Sequence, residues 1–402
     1  MREASLNRVV AGAVLAALFT AGSAFAQAPL RIGVVAGFSG VYGDLTAGQY
    51  EAAQMAADEV GGKVLGRPIE ILQADHQNKP DVGAAIVRKW YDVDGVSMVT
   101  GIDTSSVGLA VRRVAAEKGK IDLNVGSATV DLTGPACSAT GASWAYDTYA
   151  LAQVTGSALV KAGNDSWFFL TADYAFGHAL ERDVTAVVTA AGGKVVGGVK
   201  HPISTQDFSS FLLQAQASKA KIIALANAGA DTINSIKQAT EFGIGKGGQK
   251  LAGLLVFTSD VQALGLNAAQ GLVLTESFYW DLNDQTREWT AKFRKRKDKV
   301  PNMTTAGVYS ATLHYLKAVQ AAGTDEPKAV MAKMRELPIN DMMTKDGKLR
   351  EDGRVMRDMY LFQVKAPSES KDKDDIYKLI ATVPAEQAFR PLKDGNCPLI
   401  KN

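Results

Sequence analysis

Residues 96–133 read VSMVTGIDTSSVGLAVRRVAAEKGKIDLNVGSATVDLT, and this stretch decides the fold. It predicts, in order, a strand (Val96–Thr100), a hydroxyl-rich turn (Gly101–Ser106), a helix (Val107–Lys118), a strand (Ile121–Val125) and a second hydroxyl loop (Gly126–Thr129). In an open parallel sheet, ligands bind beyond the carboxyl ends of the strands, where both loops fall. The first loop also opens a helix, whose free N–H groups attract anions. The stretch therefore predicts a site for a carboxylate-bearing solute, unless these hydroxyls only cap helices and form turns.

Strands and helices alternate on both sides of this stretch. Strands at 30–37 and 68–75 precede it, with a helix predicted at 46–60 between them. A second series begins with a helix at 150–161 and ends with a strand at 251–257. Such alternation predicts parallel sheets covered by helices on both faces. Because 402 residues are too many for one ordinary domain, we predict the α/β class, with two doubly wound Rossmann-like lobes.

The order of elements changes after Gly271, where three helices follow in succession near 285–297, 306–321 and 328–336. We expect them to pack back on the first lobe, so that the chain crosses between the lobes near Tyr149, Ser277 and Arg354 and forms a multi-strand hinge. The charged stretch Ser368–Asp375 predicts a solvated hairpin. The resulting domain assignment has three parts: a signal peptide at 1–26, an N-terminal lobe at 27–147 and 277–353, and a C-terminal lobe at 148–276 and 354–402.

The N-terminus has the pattern of a secretion signal. Arg2 and Arg8 precede an apolar run at 9–19, and the small residues of Ala24–Ala26 predict cleavage before Gln27. Since Gln27 is not Cys, the sequence does not support a lipid anchor. The two remaining cysteines, Cys137 and Cys397, suit an oxidising compartment and a single disulfide, although two unpaired thiols are the alternative.

Composition and motifs exclude several classes of function. A net charge of +2, without basic runs that alternate with aromatic residues, argues against a nucleic-acid partner. The sequence has no phosphate-binding glycine loop, no nucleophile elbow and no zinc-protease motif, so we predict neither an enzyme nor a cofactor or metal site. His178 and Glu181 have a metal-ligand spacing but no second pair. A secreted hydrolase remains the weaker alternative, because a catalytic triad is recognised by geometry.

At this point the chain resembles a known family, the periplasmic solute-binding proteins of branched-chain amino acid type ABC transporters. The resemblance covers nearly the whole mature chain and depends on the order of several short motifs. They are Ile32–Val34, Ser39–Gly43, Gly101–Ser106, Gly126–Thr129 with Leu132–Thr133, Asp173–Gly177, Asp207–Ser209 and Gln238–Gly243. It implies a type I two-lobed fold that resembles leucine/isoleucine/valine-binding proteins. It also implies a periplasmic location, a monomer, and an inner-membrane ABC permease as partner.

The resemblance also implies which residues bind the ligand. Hydroxyls and amides would bind the ligand carboxylate, at Ser105, Ser106, Ser127, Ala128 and Thr129. Aromatic residues would cover its apolar part, from Tyr42 in the first lobe and from Tyr174 and Phe176 in the second. The family's amine-binding acid falls near Asp260, which would instead be a helix cap if it does not line the cleft.

One departure from the family leaves the ligand open. Where a second-lobe Gly-x-Tyr is expected, this chain has Asn227–Gly229, so that Asn227 becomes the candidate contact in a larger pocket. The segments that cross between the lobes contain aromatic residues that could line this pocket. They are Trp144, Tyr146, Tyr149, Tyr279 and Trp280. The family includes binders of aromatic carboxylates as well as of hydrophobic amino acids. We therefore expect one of these two classes as ligand, with a ligand-sensing receptor subunit as a further alternative to transport.

Overall fold

The computed structural model describes residues 28–245 and 247–401. The predicted signal peptide lies outside these residues. Within them, the elements follow the predicted alternation closely. The strands are β1 Leu30–Ala36, β2 Lys63–Val64, β3 Arg67–Asp75, β4 Val96–Gly101, β5 Ile121–Asn124, β6 Gly141–Ser143, β7 Ser166–Ala172, β8 Lys194–His201, β9 Ile222–Ala226, β10 Lys250–Gly253, β11 Val273–Glu276, β12 Lys348–Leu349, β13 Val355–Met356, β14 Met359–Val364 and β15 Tyr377–Val383.

The α-helices lie mainly between successive strands. They are α1 Gly43–Thr46, α2 Gln49–Glu59, α3 Pro80–Asp92, α4 Ser105–Lys118, α5 Thr148–Leu151, α6 Ser157–Lys161, α7 Ala175–Ala190, α8 Ser209–Ala217, α9 Ala230–Glu241, α10 Thr258–Leu264, α11 Leu266–Ala269, α12 Asp284–Arg294, α13 Met303–Ala322, α14 Pro327–Glu336 and α15 Ala385–Ala388. Within this described part, no helix has both the length and the apolar character that a bilayer crossing requires.

The first lobe is built on a six-stranded sheet with the order β2-β3-β1-β4-β5-β6. Its strands are parallel except for the short hairpin of β2 and β3. Helix α13, almost wholly buried, packs on α2 and β4, so the late helices return to this lobe as expected. Arg112 of α4 connects the last two strands of the sheet, because it pairs with Asp122 of β5 at 2.8 Å and donates to Ala142 O of β6.

The second lobe is built on a four-stranded parallel sheet with the order β10-β9-β7-β8. A separate antiparallel sheet, β11-β14-β15, shares its hydrophobic core. Within the described residues the chain passes between the two lobes after β6, after β11 and before β14, and its tail then returns to the first lobe, where Cys397 is bonded to Cys137. This arrangement confirms the α/β prediction of two doubly wound lobes.

Three local predictions were wrong in detail. The predicted helix at 46–60 is α2, which begins three residues later at Gln49 and follows the short helix α1; Gly48 before it lies against Phe293, where a Cβ would be only 2.7 Å from the ring. The predicted strand at 251–257 leaves the sheet after Gly253, where its pairing with β9 ends at Leu225. Asp374 and Asp375 of the supposedly solvated hairpin are buried and paired, with Arg294 and Lys365 respectively.

Candidate functional site

A small cavity lies where the carboxyl ends of the two parallel sheets face each other. Its lining residues come from loops of both lobes: Tyr42, Leu45, Asp103, Gly126, Tyr146, Tyr174, Phe176, Ala228, Leu255 and Phe257. Its volume is about 10 Å³, which is near the space that a single water molecule needs. A solute the size of an amino acid enters only if the lobes move apart.

The sheet topology explains why the cavity lies here. In the first sheet, β1 has β3 on one side and β4 on the other, so the chain reverses its winding direction between β1 and β4. In the second sheet the same reversal falls between β7 and β9. Loops that leave neighbouring strands in opposite directions open a crevice at such a switch point. The cavity therefore joins the switch points of both lobes.

The two lobes are in direct contact across the cavity. The hydroxyl groups of Tyr42 in the first lobe and Tyr174 in the second are hydrogen-bonded to each other. Gly229 lies so close to the first lobe that a Cβ there would be 2.5 Å from Val41 O. Outside the cavity, Arg182 of α7 pairs with Asp131 of the first lobe at 3.3 Å. These contacts describe a closed conformation.

The hydroxyl loops of the first lobe are connected to each other. Ser105 Oγ accepts a hydrogen bond from the Thr129 N–H at 3.2 Å. Ser127 Oγ donates to the backbone oxygens of Ile102 at 2.7 Å and Thr104 at 2.9 Å, so its hydroxyl holds the turn after β4. Thr129 Oγ1 accepts from the Asp131 N–H at 3.3 Å, which is a capping contact.

The predicted site residues divide into two groups. Tyr42, Tyr174 and Phe176 line the cavity. Eight others do not contribute to its lining in this conformation: Ser105, Ser106, Ser127, Ala128, Thr129, Tyr149, Asn227 and Asp260. The first five of these belong to the hydroxyl loops, directly beside the lining residues Asp103 and Gly126.

The remaining three of the eight have other surroundings. Asp260 Oδ2 accepts from the Phe257 N–H at 3.0 Å and caps α10, so of the two roles open for Asp260 the structure has the cap. Asn227 is fully buried, where its amide contacts His201 and accepts from Thr232 Oγ1 at 2.7 Å. The half-buried Tyr149 has a raised pKa because of burial and the nearby Asp394 carboxylate, which places its ring beside the C-terminal segment.

Sequence reasoning missed Asp103, which among the described residues is the only charged one in the cavity lining. Its Oδ1 accepts from the Gly37 N–H at 2.7 Å and is 3.0 Å from His76 Nε2. The sequence signal was its position directly after a strand and before a helix, but an acid there is usually a cap. In fact no side-chain cap is made at the start of α4.

Acidic groups also surround the cavity at greater distance. Burial raises the pKa of Tyr42 far above its ordinary value, and the carboxylates of Asp231, Asp103 and Asp260 raise it further. Burial likewise raises the pKa of Asp260 to about 7 and that of Asp231 to about 6. Burial is thus the main cause of all three raised pKa values, since it disfavours the charged form of each group.

A larger cavity of about 470 Å³ lies between α10 in the second lobe and α12 and α13 in the first. Its walls carry long charged side chains, including Arg294, Lys297, Lys299 and Lys373. Helix residues and the loop before α13 make up most of its lining, whereas loops that follow the strands of both sheets line the smaller cavity. We therefore take the smaller cavity, which loops from the strand ends of both sheets line, as the candidate site.

Comparison with known proteins identifies the family. The family profile described as periplasmic binding protein matches residues 29–373. This chain belongs to the periplasmic binding protein family. The crystal structure of a periplasmic binding protein from Burkholderia mallei is 50% identical, with a TM-score of 0.91, and the match covers 93% of this chain and 99% of that chain.

Two further relatives agree. A branched-chain amino acid ABC transporter periplasmic ligand-binding protein from Burkholderia xenovorans is 38% identical, with a TM-score of 0.83 and coverage of 92% of this chain and 99% of that chain. The Leu/Ile/Val-binding protein homolog 6 of Brucella melitensis is 26% identical over 339 residues, which are 80% of this chain and 84% of the relative. The chain is thus a periplasmic binding protein of branched-chain amino acid transporter type, and not an enzyme.

Proposed function

We propose that this protein is the substrate-binding component of an ABC importer, and that it binds a hydrophobic amino acid or an aromatic acid in the cavity between its lobes. The observation that carries the proposal is the position of that cavity. Loops from the switch points of both sheets enclose it, so a bound solute would contact both lobes. Its walls combine aromatic rings with few polar groups, as is usual for sites that bind small organic molecules.

The start of α4 is suited to a carboxylate. This helix of 14 residues begins at Ser105, and its N-cap residue Thr104 makes no capping hydrogen bond, so the first N–H groups remain free for a ligand. The Ser105 hydroxyl and the Thr129 N–H already contact each other at 3.2 Å. We propose that the ligand carboxylate separates this pair and accepts hydrogen bonds from both residues.

Ligand binding would control the conformation of the protein. A solute that contacts both lobes has a higher affinity for the closed form and therefore shifts the population towards it. We propose that the membrane permease recognises this closed form. The hydrogen bond between Tyr42 and Tyr174 would then break for ligand entry, and the two hydroxyl groups would bond to other partners as the lobes close around the solute.

The remaining assignments belong to the same proposal. The mature protein begins at Gln27 after cleavage of the signal peptide, functions in the periplasm and is a monomer. Residues 27–147 and 277–353 form the first moving unit, and residues 148–276 and 354–402 form the second. A disulfide joins Cys137 to Cys397, with a Cα–Cα distance of 5.7 Å, as an oxidising compartment favours.

Titration calorimetry tests the proposal directly. We expect one-to-one binding of leucine, phenylalanine or a benzoate, with closure of the protein measured by small-angle X-ray scattering. A ligand at a hundred times its dissociation constant should also stabilise the fold by about 2.7 kcal/mol in a melting experiment. The proposal fails if a broad panel of amino and aromatic acids produces no heat. Ester or amide hydrolysis by the purified protein would support a hydrolase, and binding without any effect on uptake would support a sensor.

A further inference from the structure

The lining of the cavity contains one acid and no base. Asp103 is its only charged residue, and the other lining side chains within the described residues are aromatic or aliphatic. A carboxylate in such a place is unfavourable unless it is hydrogen-bonded or paired with a cation. The structure provides Asp103 with hydrogen bonds, but it provides no lysine or arginine in the lining.

The contact with His76 does not neutralise Asp103. His76 is fully buried, and its Nδ1 accepts a hydrogen bond from the Asn78 N–H at 3.0 Å. The proton of the ring is therefore on Nε2, which donates to Asp103 Oδ1 at 3.0 Å, and the imidazole is neutral. The pair keeps the negative charge of the carboxylate. Asp103 Oδ2 accepts only a long bond from Thr104 Oγ1 at 3.4 Å and retains capacity for a stronger donor.

The backbone before Asp103 has an unusual conformation. Gly101 has φ of 88°, and Ile102 has φ of 53°, a left-handed value that is rare for a β-branched residue. Hydrogen bonds hold Ile102 on both sides, from its N–H to Val35 O and from Ser127 Oγ to its carbonyl, each 2.7 Å long. Strained residues that are fixed in this way concentrate at functional sites. Here the strained turn presents Asp103 to the cavity.

The aromatic walls favour the same kind of ligand. Tyr42, Tyr146 and Tyr174 line the cavity together with Phe176 and Phe257. The faces of such rings attract cations, most strongly where water is excluded. Both the single charge and the surrounding rings therefore select for a positively charged group.

We propose that Asp103 binds the protonated amine of the ligand, so that the site selects a zwitterionic amino acid with an apolar or aromatic side chain over a simple carboxylic acid. This inference rests on the proposed function and specifies its ligand. The ammonium and carboxylate groups of an amino acid are attached to the same carbon, and Asp103 lies two residues before Ser105 at the start of α4. Asp260, whose carboxylate caps α10, has no part in amine recognition.

Matched pairs of ligands test the inference. Calorimetry compares phenylalanine with 3-phenylpropionate, and leucine with 4-methylpentanoate, on the wild type and on Asp103→Asn. We expect the wild type to bind an amino acid of one pair about 10- to 100-fold more tightly than its deaminated partner. Asp103→Asn should abolish this preference, while the affinity for the deaminated acid stays the same or rises. The asparagine oxygen can still accept from the Gly37 N–H, and a melting curve checks that the variant is folded.

Asp260→Asn is the control, because it removes the other candidate acid and keeps an oxygen that can cap α10. We expect this variant to retain the full preference for the amino acid. Three outcomes would each overturn the inference and leave the proposed function standing. The wild type could bind both members of each pair with equal affinity, Asp103→Asn could keep the preference for the amino acid, or only Asp260→Asn could lose that preference. If none of the four probes and none of the benzoates produces heat of binding, the proposed function is refuted, and the inference with it.

Discussion

The two faces of the cleft differ in chemistry, although the same topology produces both. The first-lobe face has a carboxylate, two hydroxyl loops and the start of a long helix. The second-lobe face consists of Tyr174, Phe176, Ala228, Leu255 and Phe257, which are mostly apolar. Polar groups at fixed positions give specificity, and apolar groups favour closure without strict geometry. The comparison teaches that the charged group in the cavity lining comes from the first lobe, while the second lobe contributes mainly aromatic and aliphatic surface.

The largest effect is expected from the first-lobe hydroxyls. Ser105→Ala combined with Thr129→Ala should weaken binding about 30-fold, or about 2 kcal/mol, because the hydroxyl of Ser105 that donates to the ligand carboxylate and the Thr129 hydroxyl that caps the loop at the Asp131 N–H are both lost, while the Thr129 N–H is kept. Calorimetry with the best ligand measures the change. Thr133→Ala is the control, since its buried hydroxyl bonds only to Val130 O within the same loop. Equal affinities for the double variant and the wild type would mean that the hydroxyls serve only as caps.

A smaller effect should follow when the second lobe is prevented from approaching. Gly229→Ala places a Cβ 2.5 Å from Val41 O, so it should hinder closure and weaken binding about 10-fold, or roughly 1.4 kcal/mol. Scattering should show the variant open at ligand concentrations that close the wild type. Gly243→Ala is matched to it, because Gly243 also has positive φ, at 70°, but has no atom within 4 Å of its Cβ position. If both variants behave alike, backbone strain and not the contact between lobes is responsible.

The buried carboxyl group of Asp260 in the second lobe should make the stability of the folded protein depend on pH. Burial raises the folded-state pKa of Asp260 to about 7, above an unfolded value near 4. The folded protein therefore holds this proton more tightly, and its stability should fall as pH rises from 4 to 7, by up to about 1.4 kcal/mol per pH unit from this group. In Asp260→Asn that contribution should disappear. Urea unfolding of both proteins across this range provides the measurement, and parallel pH profiles would contradict the assignment.

The smallest effect is expected from the contact between the two tyrosines. Tyr174→Phe removes the hydrogen bond to Tyr42 but keeps the ring, so affinity should change by only about 3- to 5-fold, near 1 kcal/mol. Tyr149→Phe, which lies outside the cavity, should leave affinity unchanged. A change larger than 10-fold in Tyr174→Phe would show that the second lobe also contributes specific polar recognition.

The fold was largely predictable from the sequence, because alternating apolar strands and amphipathic helices specify a doubly wound sheet. The failures have local causes. Helix α2 begins only at Gln49, after Gly48, which packs closely on Phe293, a residue distant in sequence. Asp374 lies in a stretch of charges that is typical of a solvated loop, but Arg294 and Gln262 from other elements bury and bond it. Sequence periodicity contains no information about such tertiary partners.

The site was predictable at the level of loops, and less so at the level of individual side chains. The turn Gly101–Ser106 was identified correctly as an edge of the sheet, but its acid was overlooked in favour of its hydroxyls. Asp103 became distinguishable only when Gly37 and His76, which come from two other strand ends, were seen to hold its carboxylate. Likewise, Leu255 and Phe257 became cavity residues because their segment leaves the sheet after Gly253.

The disulfide gives the molecule a topological property beyond its local contacts. It closes a ring of chain with a sequence separation of 260 residues, which contains the whole four-stranded sheet and the passages between the lobes after β6, after β11 and before β14. Cys397 follows every strand and α-helix described, so this ring can be sealed only after both halves have been synthesised and exported. Once sealed, neither half can unravel into a fully extended chain independently of the other, and the unfolded state loses about 5 kcal/mol of chain entropy. The bond is thus the last covalent link of the fold, and it holds the C-terminal segment against the first lobe, where Arg390 also donates to Val130 O.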